Sequence, residues 1–161
     1  MKINKDKFSK LVHSISSRDT SSDPKHWNKN NPLWGHCAVV ALLAQDYFDG
    51  DLIRGSLAEI ETYAYLKSHF WNKLPNGEEI DFTKDQYKGS SCLKARDIEP
   101  ILAPRLGNVK AIAFPFLSLY VANKDLSIHN LIGELRSRES ILNHPDTIRR
   151  YNLLKERLLD L

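Results

Sequence analysis

Residues 37–43, Cys-Ala-Val-Val-Ala-Leu-Leu, are all small or apolar. A helix over them has no polar face to turn to water, so the rest of the chain must wrap a buried central helix. Pro32 and Gly35 mark a turn entering it. Asp49-Gly50 ends it, because the position past a helix often needs a positive φ that glycine adopts without strain. Cys37 therefore falls in the first turn, where unpaired N–H groups and the positive end of the helix dipole favour a thiolate. Two readings stay open on this stretch alone: a nucleophile, or a small residue that simply packs.

A chain of 161 residues suits one domain, 1–161, with a real core. Hydrophobic residues at 42% and charged residues at 27% are ordinary for a soluble protein. The balance of 23 Lys and Arg against 20 Asp and Glu gives only +3, too mild to imply a nucleic-acid partner. The charged start, Met1 to Lys7, is not followed by the apolar stretch of a secretory signal. The longest apolar region, 109–122, is interrupted by Lys110, Pro115 and Ser118 and is too short to span a bilayer, so no membrane is expected. Cys37 and Cys92 could pair only once, and nothing else suggests an oxidising compartment. These features describe a cytoplasmic protein of reduced thiols, with export as an effector by a route lacking a classical signal left open.

Ile3, Phe8, Leu11, Val12 and Ile15 recur at helical spacing, predicting an amphipathic helix over 3–16 with His13 at its surface. The polar connection 17–36 carries Trp27 and Trp34, which anchor it to the body or line a cleft. A strand is expected over 51–57, and 58–66 is left undecided. Residues 95–106 suit a short helix broken by Pro100 and Pro104, and 111–121 a buried strand or helix. From Asp125 the pattern is helical through Ile128, Leu131, Ile132 and Leu135, with His129 facing solvent. Pro145-Asp146-Thr147 opens the last helix, whose cationic face is read as solvated.

The clearest strand signal is 68–74 and 78–83 around Pro75-Asn76-Gly77, a β-hairpin. Its loop length decides whether His69 and Asp81 can serve a thiolate. A two-residue loop sets Asn72 opposite Asp81 and puts His69 and Asp81 on opposite faces. A three-residue loop pairs Trp71 with Asp81 and His69 with Thr83, and it suits a proline opening a type I turn with Gly77 in the left-handed position. His69 and Asp81 then become diagonal neighbours with Cα atoms about 7–8 Å apart. The candidate triad is Cys37, His69 and Asp81. Asn72 lies on the other face, and Asp46 on the opposite side of the Cys37 helix.

Gly35-His36-Cys37-Ala38-Val39-Val40-Ala41-Leu42, Gln45-Asp46-Tyr47-Phe48, Ser68-His69-Phe70-Trp71-Asn72-Lys73-Leu74 and Glu79-Ile80-Asp81-Phe82-Thr83 resemble the YunG-like family of small bacterial proteins. Thr20 to Pro24, Asn31-Pro32 and the tail from Asn143 to Arg157 fit the same pattern, so the resemblance covers residues 17–88 and 136–158. The order helix-borne Cys, strand-borne His, next-strand Asp is also similar in arrangement to papain-like and NlpC/P60-like cysteine hydrolases. That likeness implies an α+β fold with a papain-like core, a Cys-bearing helix packed on a small antiparallel sheet, and added N- and C-terminal helices. Two departures stand out: the residue before the Cys, commonly Gln in the family, is His36, and 88–135 is longer than the family's usual connection.

The arrangement implies acyl transfer: a thiol peptidase, amidase or deamidase acting on a peptide, protein or small amide, with no cofactor. The Cys37 N–H with a donor from His36 or Asn31 would stabilise the oxyanion, and Trp34 and Trp71 border the substrate or pack as core. The alternative from another class is a non-catalytic peptide- or protein-binding module on the same fold. A zinc site from His36, Cys37, His69 and Cys92 lacks a paired ligand motif, so no metal is expected. His26 and His144 sit in loop or cap positions, and Cys92 reads as a bystander thiol.

Overall fold

The structure is a computed structural model that describes residues 3–58, 63–87, 131 and 133–161. Helix α1, Lys5–Ile15, starts where the Asn4 side chain accepts the Lys7 N–H at 2.8 Å, and it buries Phe8, Val12 and Ile15. His13 on its outer side is exposed. Helix α2, Cys37–Phe48, is the centre of the molecule, with Val39 through Ala44 all buried. It ends at Asp49, where the Gln45 carbonyl accepts the Asp49 N–H and the Gln45 side chain donates to the Gly50 carbonyl.

Four strands follow: β1, Asp51–Ser56; β2, Ser68–Lys73; β3, Glu79–Ile80; and β4, Gly133–Arg136. They form one antiparallel sheet in the order β3-β2-β1-β4. Helices α3, Arg138–Leu142, and α4, Pro145–Leu159, complete the chain. Short 3₁₀ turns occupy Arg18–Thr20, Ala64–Leu66 and Lys84–Tyr87. The mixture of helices and an antiparallel sheet is α+β. The main core joins Phe8 and Val12 of α1, the buried run of α2, Leu52 of β1, and Tyr151, Leu154 and Leu158 of α4. A second core of Trp34, Leu57, Tyr63 and Tyr87 lies beside it.

The hairpin has the three-residue loop. Asn72 pairs with Ile80 and Lys73 with Glu79; the Leu74 N–H donates to the Glu78 carbonyl at 2.8 Å, and the Gly77 N–H to the Leu74 carbonyl at 2.9 Å. Gly77 takes φ +85°, the left-handed position that closes such a loop. The second strand is shorter than the expected 78–83, because after Ile80 the chain turns into the 3₁₀ helix Lys84–Tyr87.

Two expectations are corrected. The helix predicted from Asp125 does not include 133–136, which pair with β1 as an edge strand, leaving Leu135 69% exposed. Gly133 permits that approach: a Cβ there would lie 2.9 Å from the Trp71 ring. The apolar spacing that suggested a helix cannot register this pairing, since β1 lies some eighty residues earlier in the chain. The cationic face of α4 is not simply solvated either. Arg150 is buried, donating to Asp146 at 2.7 Å and to the Gly35 carbonyl at 3.5 Å, and Arg157 donates to the Ile15 carbonyl at 3.1 Å. These arginines tie α4 to the segment before α2 and to the end of α1.

The expected elements at 95–106 and 111–121, the helical stretch 125–130 with His129, Cys92, and all but residues 131 and 133–135 of the long connection 88–135 lie outside the described residues. Among the described residues, no helix is long and apolar enough to cross a membrane.

Candidate active site

Strand β2 alternates two sets of side chains. Phe70 packs toward the main core, and Asn72 donates to the Ala41 carbonyl of α2 at 3.0 Å. His69 and Trp71 have the opposite parity. Trp71 is buried, donates to Glu79 at 2.9 Å and lies nearly parallel to His69, with ring centroids 6.0 Å apart. It forms a wall beside the imidazole.

His69 Nε2 lies 2.6 Å from Asp81 Oδ2, with only 2% of either side chain exposed. The other carboxylate oxygen, Oδ1, accepts from the Thr83 N–H at 2.9 Å and the Thr83 hydroxyl at 3.0 Å. An ionised carboxylate only accepts, so Nε2 carries a hydrogen and Nδ1 is the nitrogen left for proton transfer. The Cys37 sulfur, at the first residue of α2, lies close enough to the same ring to favour its charged form. Cys37 is half-buried and unbridged. Burial pulls the imidazole toward its neutral form, but the Asp81 charge and hydrogen bond, with Cys37 adding to them, push the His69 pKa up to about 10. Cys37, His69 and Asp81 are thus brought together.

Two further residues meet His69 at Nδ1. The Tyr87 hydroxyl is 2.9 Å away and Gln86 Nε2 is 3.4 Å away. Gln86 also donates to the Thr83 carbonyl at 3.1 Å and accepts the Gly35 N–H at 3.1 Å, linking the hairpin side of the site to the turn before Cys37. Burial, then the neighbouring Cys37 and Asp81, raise the Tyr87 pKa, so its phenol is neutral. No spacing or turn signal in the sequence marks either residue. Their only local cue is that they follow Asp81 closely enough for one turn of chain to carry them back over His69.

The loop residues expected at the site do other work. His36 is fully buried; its Nδ1 donates to the Trp34 carbonyl at 2.9 Å and its Nε2 lies 2.8 Å from the Thr20 hydroxyl. Its backbone N–H donates to the Leu33 carbonyl. Burial holds its pKa down to about 4, keeping the ring neutral, and the nearby Arg150 charge acts in the same direction. With both ring nitrogens and the backbone N–H engaged, His36 is placed as a structural residue under the turn. Asn31 Nδ2 donates to the Gln86 carbonyl at 2.7 Å, pinning the loop to the 3₁₀ helix. Trp34 is buried, donates to Asp23 at 2.9 Å and packs with Tyr63 and Tyr87 in the second core. Trp27 donates to the Pro32 carbonyl at 2.9 Å, so both tryptophans anchor the loop. The Cys37 N–H, as the first of its helix, has no intrahelical acceptor.

Among the described residues, no group of three or more His, Cys, Asp or Glu is arranged to hold a metal ion. His36 engages Thr20 and the Trp34 carbonyl, and the zinc set considered from sequence also needs Cys92, which is outside the described residues.

A family model described as YunG protein matches residues 4–104. A Bacillus subtilis (strain 168) protein described as "Uncharacterized protein YunG" is 35% identical over 72 residues, covering 45% of this chain and 53% of that protein. The chain therefore spans about half the length of the curated relative it matches. No solved structure matches it.

Proposed function

The chain belongs to the YunG family, and on that footing we propose that it is a papain-like thiol hydrolase, a peptidase, amidase or deamidase working through Cys37, His69 and Asp81. The observation that carries this reading is the buried 2.6 Å hydrogen bond from His69 Nε2 to Asp81, on a ring whose charged form the nearby sulfur at the start of α2 also favours. An orienting carboxylate, an imidazole and a thiol at a helix N-terminus are the parts that nucleophilic acyl transfer needs.

In the proposed reaction the Cys37 proton passes to His69 Nδ1 while Asp81 holds Nε2–H. The thiolate attacks the carbonyl carbon of a peptide or side-chain amide, and the carbonyl electron pair moves onto oxygen. Collapse of the tetrahedral intermediate expels the amine, which takes the Nδ1 proton, and leaves an acyl-enzyme. Water, deprotonated at Nδ1, or an acceptor amine then releases the acyl group.

Alkylation of Cys37 by iodoacetamide from about pH 5 to about pH 10, in wild type and in His69→Ala with Cys92 as internal control, tests the pair. The proposal expects fast alkylation that plateaus below the roughly 8.5 of a free thiol, and that is lost in the variant. A rate that tracks Cys92 and ignores His69 sinks it.

One observation favours a second reading, the non-catalytic peptide- or protein-binding module: both His69 nitrogens already have protein partners, Asp81 on one and Tyr87 with Gln86 on the other. This reading expects the slow, His69-independent alkylation.

A further inference from the structure

The oxyanion donors expected from sequence, His36 and Asn31, are turned to other partners. Gln86 is constrained as well: its oxygen accepts from Gly35 and its nitrogen donates to the Thr83 carbonyl and approaches His69. The Tyr87 hydroxyl differs from these amides. It sits 2.9 Å from His69 Nδ1, the nitrogen that must receive the thiol proton because Asp81 holds the other. Any group bonded to Nδ1 stands next to the sulfur that must also approach Nδ1, and so next to the carbon that the sulfur attacks.

A hydroxyl is both donor and acceptor and turns about one bond. While Nδ1 is unprotonated, the phenol O–H donates to it. Once Nδ1 carries the thiol proton it can only donate, and the phenol hydrogen must find another acceptor. The raised His69 pKa favours that protonated ring before substrate is attacked, which leaves the phenol hydrogen free, and the acceptor created when the thiolate attacks is the negative oxygen of the tetrahedral intermediate. Resting on the thiol hydrolase reading above, we infer that Tyr87 is a catalytic residue: its hydroxyl, released from His69 by proton transfer, donates to the oxyanion together with the Cys37 backbone N–H. The phenol keeps its own proton throughout, in line with the raised Tyr87 pKa. The thiol proton goes to Nδ1 and then to the leaving group, and the C–S bond forms as the carbonyl π pair moves to oxygen. The donor is thereby in place beside the sulfur when charge develops on the carbonyl oxygen.

Tyr87→Phe in the full chain removes the hydroxyl and keeps the ring that packs 4.9 Å from Tyr63 and 5.1 Å from His69, centroid to centroid. Two probes separate the roles. Iodoacetamide alkylation depends on the thiolate but forms no oxyanion; acylation by p-nitrophenyl acetate requires both. The expected result is a roughly 100-fold loss of acylation rate, with the alkylation rate and its pH profile within about twofold of wild type and an unchanged thermal midpoint. A parallel fall in both rates would make Tyr87 a positioning residue and overturn the inference, as would an unchanged acylation rate. A wild type that alkylates with His69 dependence yet forms no acyl-enzyme overturns this inference alone. Alkylation indifferent to His69 removes the hydrolase reading, and this inference with it.

Discussion

Asp81 accepts the His69 Nε2 hydrogen at 2.6 Å from a position one residue past the end of β3, where the ladder with β2 has already stopped at Ile80. The carboxylate is aimed not by strand pairing but by Thr83, whose N–H and hydroxyl hold its second oxygen. Asp81→Asn would replace an acceptor-only group with one that can donate, so His69 loses the partner that sets its tautomer and favours its cation. The expected outcome is a fall of about 100- to 10,000-fold in acylation of Cys37 by p-nitrophenyl acetate, with the variant still folded by circular dichroism. A folded variant that acylates at the wild-type rate would show that Asp81 does not orient the base.

Two buried histidines should give stability opposite pH dependences. His69 has a folded pKa raised to about 10, above the roughly 6.5 of an unfolded histidine, so its contribution is whole below about pH 6.5 and is lost as pH rises toward 10. His36 has a folded pKa lowered to about 4, so its contribution is whole above about pH 6.5 and is lost as pH falls toward 4. Thermal midpoints against pH should show both limbs, with the alkaline one flattened in His69→Gln. Nitrogen NMR should find the His36 ring neutral at about pH 5, where a free histidine is mostly charged. A His36 ring that titrates near 6.5 would contradict its placement under the turn.

Gly77 closes the hairpin at φ +85°, and nothing lies within 4 Å of where its Cβ would be. The cost of Gly77→Ala is therefore conformational, about 1 kcal/mol, and Gly77→Asn should recover much of it because asparagine tolerates the left-handed region. Equal stability of the two variants by urea unfolding would argue against the three-residue loop, and with it the register that brings His69 near Asp81.

Arg150 and Arg149 are sequence neighbours with different environments. Arg150 is buried and bonds Asp146, Thr147 and the Gly35 carbonyl, while the Arg149 side chain is 54% exposed. Arg150→Met should cost about 1–3 kcal/mol, since it strips partners from a buried segment; Arg149→Met should stay within about 0.5 kcal/mol. Comparable losses in urea unfolding would remove the assigned link between α4 and the turn before Cys37.

The local features could be read from the chain because their causes are local. An apolar run with no polar face can only be a buried helix, and α2 is one. Pro75-Asn76-Gly77 selects a three-residue loop, and the loop sets the register of the strands it joins. The tertiary structure decided what depends on partners far apart in sequence. His36 is buried against Thr20, Gln86 of the 3₁₀ helix bonds Gly35, and Arg150 of α4 bonds the same turn. Residues 133–136 form a strand because an edge of β1 is open to them, and Tyr87 meets His69 because the chain turns back after Ile80. A side chain's partners follow from the packing of whole elements, and no short window of sequence carries that information.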